Sequence, residues 1–222
     1  MRTPKERLTH LLELAARGGA ARAMLVHELA DILLDWPPEY SVSAKLPFEA
    51  LLERALREVT RDTRSALAIR FAQRSDAPVE VLNELFFSAS ATVKDEIISR
   101  NAGDATQEGA SPEFDEELML DLARSERTQF VPALASALGV LPPTAADIIG
   151  DISGQSLAIA CKGAHAGRAT FSALAVLCDK TRAAEDSYLR LAAYDGIPLS
   201  AAERMLASWR NHAAAAQTEA AE

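Results

Sequence analysis

The chain has 222 residues, of which 49% are hydrophobic but only 5% are aromatic. Runs of alternating β-branched residues are absent, so the composition argues against a sheet and predicts an all-α protein. The net charge of −9 argues against a surface given over entirely to nucleic acid or to an anionic membrane, although a local basic patch remains compatible with it.

The two cysteines, Cys161 and Cys178, lie in apolar helical stretches with no other metal ligand nearby. Such cysteines usually serve as small core residues in a reducing compartment. The N-terminus lacks the apolar segment of a secretory signal, and no run of residues approaches the length of a membrane span. We therefore expect a cytoplasmic protein outside the membrane, with no metal ion and no cofactor.

The first 38 residues predict a helical hairpin. A helix-start pattern at Thr3 is followed by leucines at helical spacing, and Gly18-Gly19 ends this helix. A second helix is predicted from Ala20 to Trp36, where two prolines prevent its continuation. This N-terminal hairpin, residues 1–38, could cap an array of helices.

The stretch 46–102 carries one helix-turn-helix pattern twice, with an offset of 30 residues. Each copy places apolar residues at helical spacing and breaks once, the first near Arg61-Asp62, with Asp62 predicted as the N-cap of the helix that follows. The matched pairs are Leu52 with Leu82, Leu56 with Phe86, Leu67 with Ile97, Ala68 with Ile98 and Ala72 with Ala102. A unit of this size cannot bury its apolar face alone, so neighbouring units must stack on it.

A short period with two helices per unit is typical of HEAT-like and armadillo-like repeats. The predicted fold is therefore an all-α, right-handed α-α superhelix that follows the N-terminal hairpin. Two copies are few, and helices rich in leucine and alanine also match one another by chance. A third helix pair, predicted over Pro143–Ala164 outside the 30-residue register, favours the repeat.

A single domain of residues 1–222 is predicted, and its later segments are less regular. These segments are a flexible loop at 103–112, degenerate repeats at 113–178, C-terminal helices at 181–216 and a frayed tail at 214–222. Ser200 and Glu203 are spaced as a capping box for the last helix. The segment 111–127 is acidic, which is typical of a solvated helix face, and a docking surface for a basic partner is the alternative.

Five basic residues of the two copies form a possible interaction surface, namely Arg57, Arg61, Arg64, Lys94 and Arg100. Helical repeats can line a concave face with such residues to hold phosphates. Carboxylates are interleaved with them, however, at the i, i+4 spacing of ion pairs on one helix. We therefore expect these residues to serve the structure more than to bind nucleic acid.

Motifs for catalysis are missing from the sequence. His27-Glu28 matches the start of a phospho-accepting pattern, although a partly exposed helical histidine is the simpler interpretation. His165 lies in a turn flanked by glycines and has no assigned role. Neither the metal-binding spacings nor the nucleophile frame of a hydrolase occurs, so no catalytic residue is predicted and the protein is not expected to be an enzyme.

Four stretches of the chain resemble a bacterial family of HEAT-like proteins of unknown function, and the resemblance covers about residues 46–177. The stretches are Thr63–Ala68, Ala77–Leu82, Gln129–Ala135 and Leu157–Ile159. The resemblance implies an all-helical repeat fold in the cytoplasm with no established activity. No functional residue carries over from it.

Helical solenoids present long concave faces to their partners, and this chain shows no catalytic motif. We expect a non-enzymatic interaction scaffold or regulatory adaptor that binds a protein partner. A nucleic-acid-binding helical repeat that uses the five basic residues is the second hypothesis. A phosphorelay protein that uses His27 is the third.

Overall fold

The structure is a computed structural model, and it describes residues 4–17, 20–103, 114–178 and 184–221. These residues form α-helices and two short 3-10 helices but no strand, so the predicted all-α class is confirmed. The predictions at Thr3, at Gly18-Gly19 and at nearly all of the loop 103–112 lie outside the described residues.

Contacts between Cα atoms divide the chain into two compact units, Met1–Ile97 and Ile98–Glu222. The single domain expected from the sequence stays a prediction. The helices of the first unit are α1 (Pro4–Arg17), α2 (Ala20–Leu34), α3 (Leu46–Leu56), α4 (Arg61–Ala72), α5 (Val79–Leu85) and α6 (Ala91–Asn101), whose last residues fall in the second unit.

The predicted N-terminal hairpin is present as α1 packed against α2. Helix α2 ends at Leu34 instead of Trp36, because a residue that precedes a proline disfavours the helical conformation. Helix α2 also packs against α3 and α4. Phe48, Phe71 and Phe86 are less than 2% exposed in this unit, and each such side chain contributes about 1.5–3 kcal/mol on burial.

Helices α3 and α4, and then α5 and α6, form the two helix pairs of the repeated pattern. Helix α4 begins at Arg61 and α6 at Ala91, so the second helices keep the 30-residue offset. The matched residues Leu52, Leu82, Leu56, Phe86, Leu67, Ile97, Ala68 and Ile98 are all buried. Ala72 and Ala102 are not. Helix α5 is short and continues as the 3-10 turn Phe86–Ser88.

The predicted N-cap Asp62 is wrong. Thr60 caps α4, since its hydroxyl oxygen accepts a hydrogen bond from the backbone N–H of Thr63 at 3.4 Å. Asp62 lies within the first turn, where a negative charge still complements the helix dipole. The break predicted near Arg61-Asp62 accordingly comes earlier, at residues 57–60.

The second unit is built around a central helix. Its helices are α7 (Glu116–Ser125), α8 (Arg127–Leu138), α9 (Pro142–Gly150), α10 (Gln155–Gly163), α11 (Arg168–Cys178), α12 (Ala184–Gly196) and α13 (Leu199–Ala221). Helix α10 packs against α9, α11, α12 and α13, and every residue from Ser156 to Cys161 is buried. The predicted third helix pair corresponds to α9 and α10, and both cysteines are core residues as predicted.

The last helix differs from its prediction at both ends. Helix α13 begins at Leu199, so Ser200 is inside the helix and the predicted capping box is wrong. The helix continues to Ala221, past the predicted end at 216, because alanine has the highest helix propensity. Within the described residues no single helix is long and apolar enough to cross a membrane, and only α8 with α9 pass that test, as a pair bent by 109°.

Candidate functional site

The basic residues predicted as an interaction surface differ widely in exposure. Lys94 is only 5% exposed, and its ammonium nitrogen lies 5.0 Å from the centre of the Phe86 ring. The Nε atom of Arg57 lies 3.7 Å from the carboxylate of Glu84 on α5. Lys94 is therefore inside the first unit, and Arg57 is directed toward a neighbouring helix.

The other three members are likewise in different surroundings. Arg61 is exposed at the start of α4, whereas Arg64, one turn later, is half-buried. Arg100 is half-buried near the end of α6 and belongs to the second unit. Since Lys94 is buried, it is not part of an exposed basic face, and the use of the other four residues as an interaction surface stays a prediction.

Two arginines outside that set connect helices instead. Arg70 on α4 donates to Asp31 on α2 at 2.6 Å. Arg74 donates to Asp35 at 3.5 Å and to Asp76 at 3.2 Å, and the hydrogen bond from Arg74 lowers the pKa of Asp76. The Arg70 pair joins α4 to α2, the bond to Asp35 joins the segments that follow these two helices, and the bond to Asp76 is local.

A groove of about 220 Å³ opens between α1, α2 and α3 of the first unit. Its apolar wall consists of Leu12, Ala15, Leu25, Leu51 and Ala55. Leu25 is 1% exposed and Ala55 6%, so these two side chains form the buried floor. Leu12 is 51% exposed and stands at the edge. The groove thus gives solvent access to an apolar surface that continues into the core.

Charged side chains complete the lining of this groove. They are Arg22, Arg54 and Glu58. Arg22 lies 2.6 Å from a carboxylate oxygen of Glu58, with about two fifths of each side chain exposed. Arg54 is exposed one helical turn before Glu58. Two arginines and one glutamate leave a formal charge of +1 on the lining, in a chain whose net charge is −9.

The third hypothesis depends on His27. This histidine is exposed on α2, and Glu28 beside it is half-buried. Exposure is required of a phospho-accepting histidine and is equally expected of any histidine on the wet face of a helix. The phosphorelay role stays a prediction.

In the second unit, α10 ends in a left-handed turn that His165 forms. The N–H of Ala166 donates to the carbonyl of Cys161 at 2.8 Å, and the N–H of His165 donates to that of Lys162 at 3.0 Å. His165 has a φ of 58°, at the position where helix C-caps favour glycine. Its imidazole is 59% exposed, and Nε2 lies 3.4 Å from Glu203 on α13.

Side chains from α7 and α12 hold the segment after His165. The carboxylate of Glu116 accepts hydrogen bonds from the backbone N–H of Gly167 at 3.0 Å and from the hydroxyl of Thr170. These bonds, the one from Thr170 first, lower the pKa of Glu116. The hydroxyl of Tyr194 donates to the carbonyl of Ala166 at 2.8 Å. Glu116 therefore caps the start of α11 from a different helix.

Two cationic side chains tie this region to the end of α12. Lys162 donates to the carbonyls of Tyr194 and Ile197, both at 2.6 Å. Arg168 donates from Nε to Oδ1 and from Nη2 to Oδ2 of Asp195, both at 2.8 Å, and these bonds lower the pKa of that exposed carboxylate. These partners were not predicted, because they lie far apart in the sequence and have no short motif. These interactions hold the turn that follows α10 in place.

A second polar turn joins α9 to α10. The carboxylate of Asp151 accepts from the hydroxyls of Ser153 and Ser156. Gly154 has a φ of 75° and lies against Arg190, which is 6% exposed and donates to the carbonyl of Ile152 at 3.2 Å. The serine hydroxyls are therefore bound to a carboxylate that starts α10, and we infer a structural role for them.

Neither metal nor thiol chemistry finds support in the described part of the chain. There, no group of three or more His, Cys, Asp or Glu side chains is placed to hold a metal ion. Burial raises the pKa of the Cys161 thiol, which opposes formation of the reactive thiolate.

The fold and these surfaces define an all-helical protein with an open apolar groove in its first unit. Residues 108–207 match a family model described as "Uncharacterised protein conserved in bacteria (DUF2336)". This bacterial domain of unknown function covers α7 to α12 and part of α13, whereas the resemblance seen in the sequence began at residue 46. The groove lies outside the matched residues. No curated protein and no solved structure matches the chain.

Proposed function

We propose that this protein is a non-enzymatic interaction scaffold or regulatory adaptor, and that the groove between α1, α2 and α3 receives a protein partner. The observation that carries this proposal is the half-exposed Leu12 at the edge of a recess whose floor is Leu25 and Ala55. An apolar surface that continues from solvent into a core favours association, because covering it removes apolar area from water.

The size of the groove supports a protein partner over a metabolite. Pockets that bind drug-sized molecules measure about 300–1,000 Å³, and this groove measures about 220 Å³. Protein interfaces, in contrast, obtain most of their affinity from a few anchor side chains that fill small pockets. The groove has the dimensions of such an anchor pocket.

We further propose that the helix pairs stack as HEAT-like repeats in a cytoplasmic protein. The burial of the residues matched at the 30-residue offset supports this proposal, as does the packing of α3 on α5 and of α4 on α5. In this arrangement α1 and α2 cover the first repeat, and the groove is the place where that cover is incomplete.

Affinity purification of the tagged full-length chain from its native host tests the adaptor role. Ala15→Phe places a large side chain in the groove, and we expect it to abolish co-purification of a stoichiometric partner. Met24→Ser is the matched control, because Met24 is 67% exposed on α2 but does not line the groove. Recovery of the same partner with Ala15→Phe, or of the chain alone with the wild type, would contradict the proposal.

A further inference from the structure

We propose that His165, in the turn after α10, is a phosphoryl-accepting site, and that Glu203 on α13 orients its imidazole for attack through Nδ1. The site lies in the second unit and does not depend on the groove of the first. It goes beyond the adaptor function, because a phosphoryl group on this turn gives the protein a reversible modification.

The backbone of His165 is the first reason to assign this residue a function. Its φ of 58° lies in the left-handed region, and residues held in such conformations cluster at functional sites. Neighbouring groups hold the turn, since the N–H of Ala166 donates to the carbonyl of Cys161 and the hydroxyl of Tyr194 donates to the carbonyl of Ala166, both at 2.8 Å. The imidazole makes none of these bonds, so the turn itself does not require a histidine.

The imidazole of His165 is accessible, and a carboxylate orients it from one side. The side chain is 59% exposed, and the turn around it, from Gly163 to Gly167, otherwise consists of glycine and alanine. Nε2 lies 3.4 Å from Glu203, and no other described residue pairs with the ring. A carboxylate beside one ring nitrogen favours the tautomer that carries its proton there. Nδ1 is then the nitrogen with the free lone pair.

His27, the other exposed candidate, lacks both features. It lies within α2, and it is not among the described residues that have a positive φ. None of the described carboxylates pairs with its ring. His27 therefore serves as an internal reference for an exposed histidine with no orienting partner.

The transfer to His165 balances without loss of a proton from the ring. The Nδ1 lone pair attacks the phosphorus of an acyl phosphate, the P–O bond to the acyl group breaks, and the carboxylate leaves with the bonding electron pair. Because Nε2 keeps its proton, the ring becomes an imidazolium as the P–N bond forms. Glu203 stabilises that positive charge, as the carboxylate of a catalytic triad stabilises its imidazolium. Free acyl phosphates and phosphoaspartate side chains of partner proteins share this donor chemistry.

Labelling of the full-length chain with acetyl phosphate tests the assignment. Peptides are mapped by mass spectrometry at alkaline pH, and the labelling rate at His165 is divided by the rate at His27 in the same molecule. We expect a ratio above one that falls about threefold in Glu203→Gln, the size of an exposed ion pair. The wild-type ratio should fall likewise in about 1 M salt, which screens such a pair. Glu117→Gln, at an exposed position on α7, is the control and should leave the ratio unchanged.

The chain isolated from its native host provides the second readout. We expect a phosphoryl group on His165 that His165→Asn removes without loss of the fold, since asparagine also adopts the left-handed conformation. In a host strain without acetyl phosphate, a retained label identifies a phosphoaspartate donor and a lost label identifies the free acyl phosphate. Equal rates at His165 and His27, a ratio that ignores Glu203→Gln, or a host-isolated chain without a phosphoryl group on His165 would overturn the assignment. The adaptor function would stand in each case, because Ala15→Phe tests it separately.

Discussion

His165 adopts a backbone conformation that glycine adopts more easily. Its φ of 58° is left-handed, and only glycine enters this region without a steric cost from Cβ. The turn persists because hydrogen bonds from His165 and Ala166 close the end of α10. The histidine therefore holds a position where glycine would stabilise the fold more.

We expect His165→Gly to be more stable than His165→Ala by about 1 kcal/mol, since the steric cost of a Cβ in the left-handed region exceeds the additional backbone entropy that glycine loses on folding. Both variants remove the exposed contact to Glu203, so that contact cancels in the comparison. Urea unfolding followed by circular dichroism measures the difference. Equal midpoints for the two variants would mean that the left-handed turn is not retained in solution.

Glu116 makes the stability of the second unit depend on pH. Its hydrogen bonds to Thr170 and Gly167 hold its folded-state pKa below the ordinary value of 4.5. The stabilisation is then complete above pH 4.5 and is lost as the pH falls through the folded-state pKa.

Replacement Glu116→Gln should cost about 1 kcal/mol at neutral pH, as for a typical hydrogen bond, and progressively less as the pH drops below 4.5. Chemical unfolding at a series of pH values measures this convergence. Glu117→Gln, at the exposed neighbouring position, is the control and should leave stability nearly unchanged. A Glu116→Gln cost that is independent of pH would show that the carboxylate does not cap α11.

At the scale of elements, the crossing of α10 and α13 depends on one glycine. A Cβ at Gly163 would lie 2.7 Å from the carbonyl oxygen of Ala202 on α13, a backbone atom that cannot move away easily. Gly150 at the end of α9 is different, because a Cβ there meets no other described atom within 4 Å. The two glycines are therefore a matched pair, one in a tight helix contact and one in open space.

Gly163→Ala should destabilise the protein by about 1–3 kcal/mol, the usual cost of overpacking. Gly150→Ala should be neutral or stabilise it by up to about 1 kcal/mol, because alanine loses less backbone entropy on folding. Thermal and urea unfolding of both variants checks this. A Gly163→Ala protein as stable as the wild type would indicate that α10 and α13 do not pack this closely.

Much at this scale was predictable from the sequence, and the exceptions have physical reasons. Periodic leucines and alanines define helices well, so the helices of both copies of the sequence pattern were located. The cap at Thr60 was missed because Thr60 and Asp62 are both good N-caps, and only the backbone path selects between them. The groove was not predictable, since Leu11 and Leu12 belong to one apolar stripe but are 0% and 51% exposed.

At the scale of the whole molecule, the contacts form two units, although the sequence predicts one domain. Hydrogen exchange in moderate urea, measured by mass spectrometry, shows whether the chain unfolds as two units or as one domain. Helices of one unit should lose protection together, with α10 among the slowest because Leu157 to Cys161 are buried. A single transition shared by peptides from 1–97 and 98–222 would favour the single domain.

The residues that match the family model and the residues that line the groove lie in different parts of the chain. Residues 108–207 match the model of a bacterial family of unknown function, whereas the groove is built from residues between Leu12 and Glu58. The recess beside Leu12 combines a buried apolar floor with an exposed edge, and the proposed adaptor role depends on this surface.

Site-specific photocrosslinking in the native host tests the central claim most directly. A benzophenone amino acid replaces Leu12 at the edge of the groove or, as the control, Met24 on α2 outside it. We predict a discrete protein adduct from position 12 that is absent from position 24 and is lost when Ala15→Phe fills the groove. Adducts of equal yield from both positions, or an adduct from position 12 that survives Ala15→Phe, would contradict the proposal that this groove receives the partner.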